Sequence, residues 1–196
     1  MRSFHHYITA SVVVCILSMV SVSCKKSNVG DNDPNINDRL IDSVSVSPAP
    51  GQPSHNVPID LDGDGLKDFY ISAGTDVQGV IHTSLVGVPS YVNFVADDSD
   101  YVAPSGFNAL IDSVSVVNPP KPHRWSDYAL ASVVAPGFSS GQANATDFYV
   151  GVYTTKMDGV HYGWMKLNVS TDGTTIRLIE LACHNRPRTG IHIGEK

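Results

Sequence analysis

The sequence predicts an all-β protein, an antiparallel β-sandwich of jelly-roll type, and three observations predict it. Beyond the first two dozen residues, no window carries a sustained apolar stripe at helical spacing with caps at its ends. Short runs rich in β-branched and aromatic residues recur instead, separated by Gly, Pro, Asn and Asp. Two Asp-Gly pairs, Asp158-Gly159 and Asp172-Gly173, stand between such runs as hairpin turns. On these signals the strands fall at about 40–46, 67–73, 78–86, 91–96, 110–117, 128–134, 147–156, 160–170 and 174–182.

Taken in chain order, residues 1–23 are an export signal. Arg2 supplies a positive start, Ile8 to Val22 form an apolar run, and small residues lead into Cys24. The run is short for a bilayer span, which needs about 20 apolar residues. This segment resembles a bacterial lipoprotein signal, although Ser21 stands where such signals usually carry an aliphatic residue. The resemblance implies that Cys24 becomes the acylated first residue after cleavage and that the protein is lipid-anchored to a bacterial outer membrane; an ordinary secretory signal or an uncleaved anchor is the alternative. Residues 24–38 are polar and aperiodic and read as a tether, with Lys25 and Lys26 placed to meet anionic headgroups. Residues 39–196 are then a single β-sandwich domain.

Charge narrows the partners. The chain of 196 residues carries a net charge of -6, and losing Arg2 with the signal makes it -7. No basic cluster exceeds two residues in a row, so nucleic acid is excluded as a partner, since a basic stripe is needed to displace phosphate counterions. With Cys15 in the signal and Cys24 acylated, Cys183 remains alone and reads as a small packing residue. Its neighbour His184 would point to the opposite face of a strand, which argues against a catalytic thiol pair.

The heptapeptide Leu40-Ile41-Asp42-Ser43-Val44-Ser45-Val46 recurs as Leu110-Ile111-Asp112-Ser113-Val114-Ser115-Val116 and reads as two alternating strands. Both copies contain Asp-Ser-Val, which resembles the O-glycosylation triplet of some exported bacterial proteins.

The chemistry concentrates in Asp60-Leu61-Asp62-Gly63-Asp64-Gly65-Leu66-Lys67-Asp68. Carboxylates at loop positions 1, 3, 5 and 9 and glycine at position 6 match the spacing that wraps oxygens around Ca²⁺. The predicted ligands are Asp60, Asp62, Asp64 and Asp68, with the backbone carbonyl of Leu66 at position 7. Like charges about 4 Å apart repel by roughly 1–4 kcal/mol per pair, and a divalent cation removes that cost. Ile71 replaces the bidentate Glu of a complete EF-hand, so the expected affinity is weak, about 10⁻⁴ to 10⁻³ M. The loop resembles those of dockerins, thrombospondin type 3 repeats and FG-GAP-like repeats, in which the ion stabilises a turn. A second acidic group, Asp97-Asp98-Ser99-Asp100, reads as a solvated turn.

The two Asp-Gly turns set Val152 opposite Met165, Val150 opposite Leu167 and Phe148 opposite Val169, then Val169 opposite Ile176 and Leu167 opposite Leu178. These pairs share one face, the core face, and Glu180 is assigned to it. The other face gathers Tyr149, Tyr153, Tyr162, Trp164, Ile179 and Leu181, with Tyr153 set opposite Trp164. It is either covered or a glycan platform formed by Tyr149, Tyr153, Tyr162 and Trp164, since aromatic faces stack on sugar rings. Around His161-Tyr162-Gly163-Trp164, the sequence resembles a C-terminal module of uncharacterised exported bacterial β-proteins, which implies a secreted or surface sandwich without an assigned reaction.

Enzyme signatures are sparse. No Gly-x-Ser-x-Gly elbow or His-Glu-x-x-His pair is present. A glycosidase needs two facing carboxylates, and sequence spacing does not set Glu180, Asp127 or Asp147 opposite one another; His123-Arg124-Trp125 reads as a loop stack. The leading expectation is a non-catalytic surface binding or structural module with structural Ca²⁺. The alternative is a carbohydrate-active enzyme on a jelly-roll scaffold.

Overall fold

A computed structural model describes residues 33–48, 54–88, 91–113, 124–135, 138–142 and 146–196. The signal segment, Cys24 and most of the tether lie outside the described residues. All regular structure is β: β1 (Ile36–Val46), β2 (Ser54–Ile59), β3 (Phe69–Thr75), β4 (Ile81–Gly87), β5 (Val92–Ala96), β6 (Leu110–Ile111), β7 (Arg124–Ser126), β8 (Tyr128–Ala135), β9 (Phe138–Gly141), β10 (Phe148–Lys156), β11 (Gly159–Val169), β12 (Ile176–His184) and β13 (Ile191–His192). Among the described residues, no helix is long and apolar enough to cross a membrane.

One sheet runs β1-β12-β11-β10-β5-β7 and the other β2-β3-β4-β8-β9, while β6 and β13 form a separate two-stranded ladder. All named strand pairs are antiparallel. The chain changes sheet at β1–β2, β4–β5, β7–β8 and β9–β10, so the two layers are interwoven around one core. Phe69, Ile71 and Leu85 from one sheet meet Phe94, Val150 and Met165 from the other, all wholly buried. Phe69 and Phe94 meet edge to face at 5.5 Å between ring centroids, an arrangement favoured by the ring quadrupoles. One polar chain crosses this core. The Ser132 hydroxyl donates to the carbonyl of Gly173 at 2.6 Å, leaving Thr83 to donate to Ser132 at 2.6 Å. A β8 residue is thereby tied to the β11–β12 turn of the opposite sheet.

Four sequence expectations are corrected. First, β1 begins at Ile36, so residues 36–38, the last three assigned to the tether, already belong to the sheet. Ile36 is buried and the side-chain amide of Asn37 donates to the Asp62 carbonyl. Second, the β10–β11 ladder is displaced by two residues: Val150 faces Met165, Phe148 faces Leu167 and Tyr153 faces Tyr162. The turn centres on Met157-Asp158, one residue upstream, because Gly159 (φ 139°) takes the position that closes the ladder with Lys156. A two-residue displacement preserves side-chain parity, so the core face is as expected.

Third, β11–β12 keeps the predicted Val169–Ile176 and Leu167–Leu178 pairs. A bulge follows, and Lys166 then faces Glu180. The extra residue, Ile179, reverses the parity beyond it. Leu181 and Cys183 enter the main core, while Glu180 leaves it and pairs with Lys196. Fourth, β2, β7, β9 and β13 were not anticipated. They are short, or in β2 mostly exposed with Pro58 inside an edge strand. Of the second heptapeptide copy, only Leu110 and Ile111 form a strand; Val114 to Val116 lie outside the described residues.

Candidate metal centre

The acidic loop joins β2 to β3, and three of its carboxylates converge. Ligand oxygens of Asp60, Asp62 and Asp68 all lie within 4.8 Å of one another. The backbone makes this possible: Gly63 (φ 84°) and Gly65 (φ 89°) occupy the left-handed region, where a side chain is strained. The carboxylates also shape the loop. Asp60 accepts from the amides of Gly63 at 2.6 Å and Gly65 at 3.0 Å, Asp62 from Asp64 at 3.0 Å, and Asp64 from Leu66 at 2.7 Å. Asp64 is thus turned to the loop's own backbone and stands outside the converging trio. The Leu66 side chain is exposed.

Two of the carboxylates are withdrawn from solvent, Asp62 buried and Asp68 partly so. Burial, followed by the neighbouring charges of Asp62, Asp60 and Asp64, pushes the Asp68 carboxyl up to about 6, although the Leu61 amide donates to it at 2.7 Å and opposes the rise. Thr154 adds a long hydrogen bond of 3.4 Å to its other oxygen. The Asp62 side chain is only 3% exposed, and its Oδ2 is buried without a hydrogen bond. What faces that oxygen is the Lys156 ammonium, an ion pair formed off the angles of a hydrogen bond. Burial works against the Lys156 charge, but Asp62 outweighs it and holds the ammonium's pKa above the ordinary value. Three converging carboxylates, one of them buried, offer hard oxygen donors that could take a divalent cation in competition with the Lys156 ammonium.

Lys156, Thr154 and Asn37 belong to this centre and were not found by sequence reasoning. They come from β10 and β1, and only tertiary register brings them to the loop. Asp62, Asp64 and Asp68, with Leu66, Tyr91 and Met157, line a cavity of about 750 Å³ beside the centre.

The aromatic platform is not present. Trp164 is wholly buried and Tyr162 is 7% exposed, packed with Ile36, Ile111, Ala182, Ile191 and Ile193 in a second apolar cluster. Tyr149 and Tyr153 lie at its margin, half-buried. Trp164 meets Tyr149 edge to face at 5.8 Å, and Trp125 meets Tyr153 likewise at 4.7 Å. The Trp164 indole N–H donates to the Glu195 carbonyl at 3.3 Å. The face is covered because β6, β13 and the C-terminal segment through Glu195 fold across it.

The other carboxylates are occupied elsewhere. Asp97 closes its own turn by accepting from Ser99 and Tyr101, and Asp100 pairs with Arg124. Asp147 is bound by Lys166 at 2.9 Å and Asn168 at 3.0 Å. Lys166 is the main cause holding its carboxyl below the ordinary range, which is the wrong direction for a general acid. Cys183 is buried in the main core.

Fold and loop together define an all-β sandwich with an acidic centre that could hold a metal ion. No family model, curated protein or solved structure matches the chain.

Proposed function

We propose that this protein is an exported lipoprotein, anchored to the bacterial outer membrane through Cys24, whose β-sandwich is a non-catalytic binding or structural module stabilised by calcium at Asp60, Asp62 and Asp68. The convergence of those carboxylates within 4.8 Å, around the buried Asp62, carries the calcium reading. Hard oxygen donors in a flexible turn suit Ca²⁺ better than Mg²⁺, which demands near-octahedral geometry. An ion at this point would fasten β2 to β3, and the bonds from Asn37 to Asp62 and from Thr154 to Asp68 would extend its hold to the other sheet. The platform residues that motivated a glycan ligand are covered, so this reading no longer draws on them.

Thermal melts in EDTA and in about 10 mM Ca²⁺ test the assignment. At the affinity expected of such a site, calcium adds about 1.5–2.5 kcal/mol, which raises the midpoint by roughly 3–10 °C for a domain of this size. Asp62→Ala should lose that response. A wild-type midpoint indifferent to both calcium and chelator would sink the calcium reading.

A further inference from the structure

Beyond the ion, the same end of the molecule carries a surface that no packing explains. β1 begins there, since Ile36 pairs with His184. The acidic loop is fastened to it by Asn37, and the β10–β11 turn joins it through Lys156 and Asp62. The β4–β5 connection is at this end too, because Val88 donates to the Asp68 carbonyl at 3.0 Å and Thr155 donates to the Tyr91 carbonyl at 2.7 Å. From these three connections project Leu66, Tyr91 and Met157, exposed by 68%, 58% and 110%. All three rim the cavity beside the acidic loop. Three large apolar side chains converging from separate loops form a patch, which unlike a scattered apolar residue marks an interaction surface.

We propose that this end docks on the lipid bilayer, with Leu66, Tyr91 and Met157 entering the headgroup–acyl boundary. The inference rests on the lipoprotein reading and uses the position of the anchor. Cys24 lies nine residues before Asp33, a separation that cannot exceed about 30 Å. Asp33 in turn donates its amide to the Lys196 carbonyl, and Ile36 donates to the Asp33 carbonyl, so the anchor delivers this end of the sandwich to the membrane. Tethering makes docking intramolecular, and a weak apolar contact then suffices. Tyr suits the interface, having an apolar ring and a polar tip. Charges of both signs surround the patch, Asp60, Asp62, Asp64, Asp68 and Asp158 standing beside Lys67, Lys156 and Arg188, so the apolar side chains rather than net charge set the contact, and a zwitterionic bilayer isolates it.

The opposite end provides the comparator. Val77, 95% exposed, lies in the β3–β4 turn at the far end of β3. The full lipidated protein is reconstituted into phosphatidylethanolamine–phosphatidylcholine vesicles, carrying a polarity-sensitive fluorophore on Met157→Cys, Leu66→Cys or Val77→Cys; the native Cys183 is buried. Labels at positions 157 and 66 should brighten by roughly twofold or more with a blue shift, and the label at 77 should not. If the protein floats with the vesicles while both loop labels stay aqueous, or if all three labels respond alike, docking is overturned and the anchor stands. If the protein does not float and Cys24→Ser changes nothing, the anchor reading falls and takes this proposal with it.

Discussion

Lys156 and Asp68 show how the acidic loop manages its charge. The Lys156 ammonium occupies the buried side of Asp62, where a divalent cation would also draw its attraction. Lys156→Met keeps the apolar stem and removes the charge. Without calcium it should destabilise the protein by about 1–3 kcal/mol, because a buried carboxylate loses its counter-charge. In calcium it should bind the ion roughly tenfold more tightly, a difference of about 1.4 kcal/mol; calorimetric titration checks both the sign and the size. Asp68 gives a pH signature. Its folded pKa of about 6 exceeds the ordinary 3.8, so between those values the folded state holds a proton that the unfolded chain has released. Stability therefore falls as pH rises through that window. The full shift corresponds to at most about 3 kcal/mol, and partial solvent exposure brings the effect to about 1–2 kcal/mol. Asp68→Asn still offers an acceptor to Leu61 and should remove this slope. Urea unfolding in chelator at pH 4 and pH 6.5, wild type against variant, measures the difference.

Elements explain what the sequence could and could not disclose. The 60–68 loop was legible because its carboxylates are neighbours in the chain and its glycines mark the turn. Lys156 was not, because it lies on β10 and meets Asp62 only through the fold. The faces of β10 and β11 were legible from alternation alone and survived a two-residue displacement of the turn. The β12 bulge was hidden because Ile179 and Leu181 are both aliphatic, so the apolar pattern reads equally well on either side of the parity change. Gly163, the centre of the Tyr-Gly-Trp motif, now has a steric reason. A Cβ there would stand 2.6 Å from the Ala182 carbonyl oxygen on the neighbouring strand. Gly163→Ala should therefore cost about 1–3 kcal/mol. Gly106 meets nothing within 4 Å, so Gly106→Ala should be close to neutral; paired denaturation curves of the two variants decide it.

Among the described residues the apolar interior is divided between two large clusters, with Val95 and Ala103 forming a small third. The sandwich core lies between the sheets, and the second cluster lies outside the larger sheet under β6, β13 and their flanking segments. Sequence periodicity identifies the first, since alternating strands announce their inner face. It does not identify the second, whose cover consists of two-residue strands and irregular chain, and this is why Trp164 read equally well as a platform. The division has an optical consequence. The chain contains two tryptophans; Trp164 belongs to the outer cluster and Trp125 packs against it. Intrinsic fluorescence is therefore a reporter of the outer compartment, whereas far-ultraviolet dichroism follows the sheets. A melt read by emission alone would time the lifting of the cover, and the interval between the two signals would be a direct gauge of how tightly cover and sandwich are coupled.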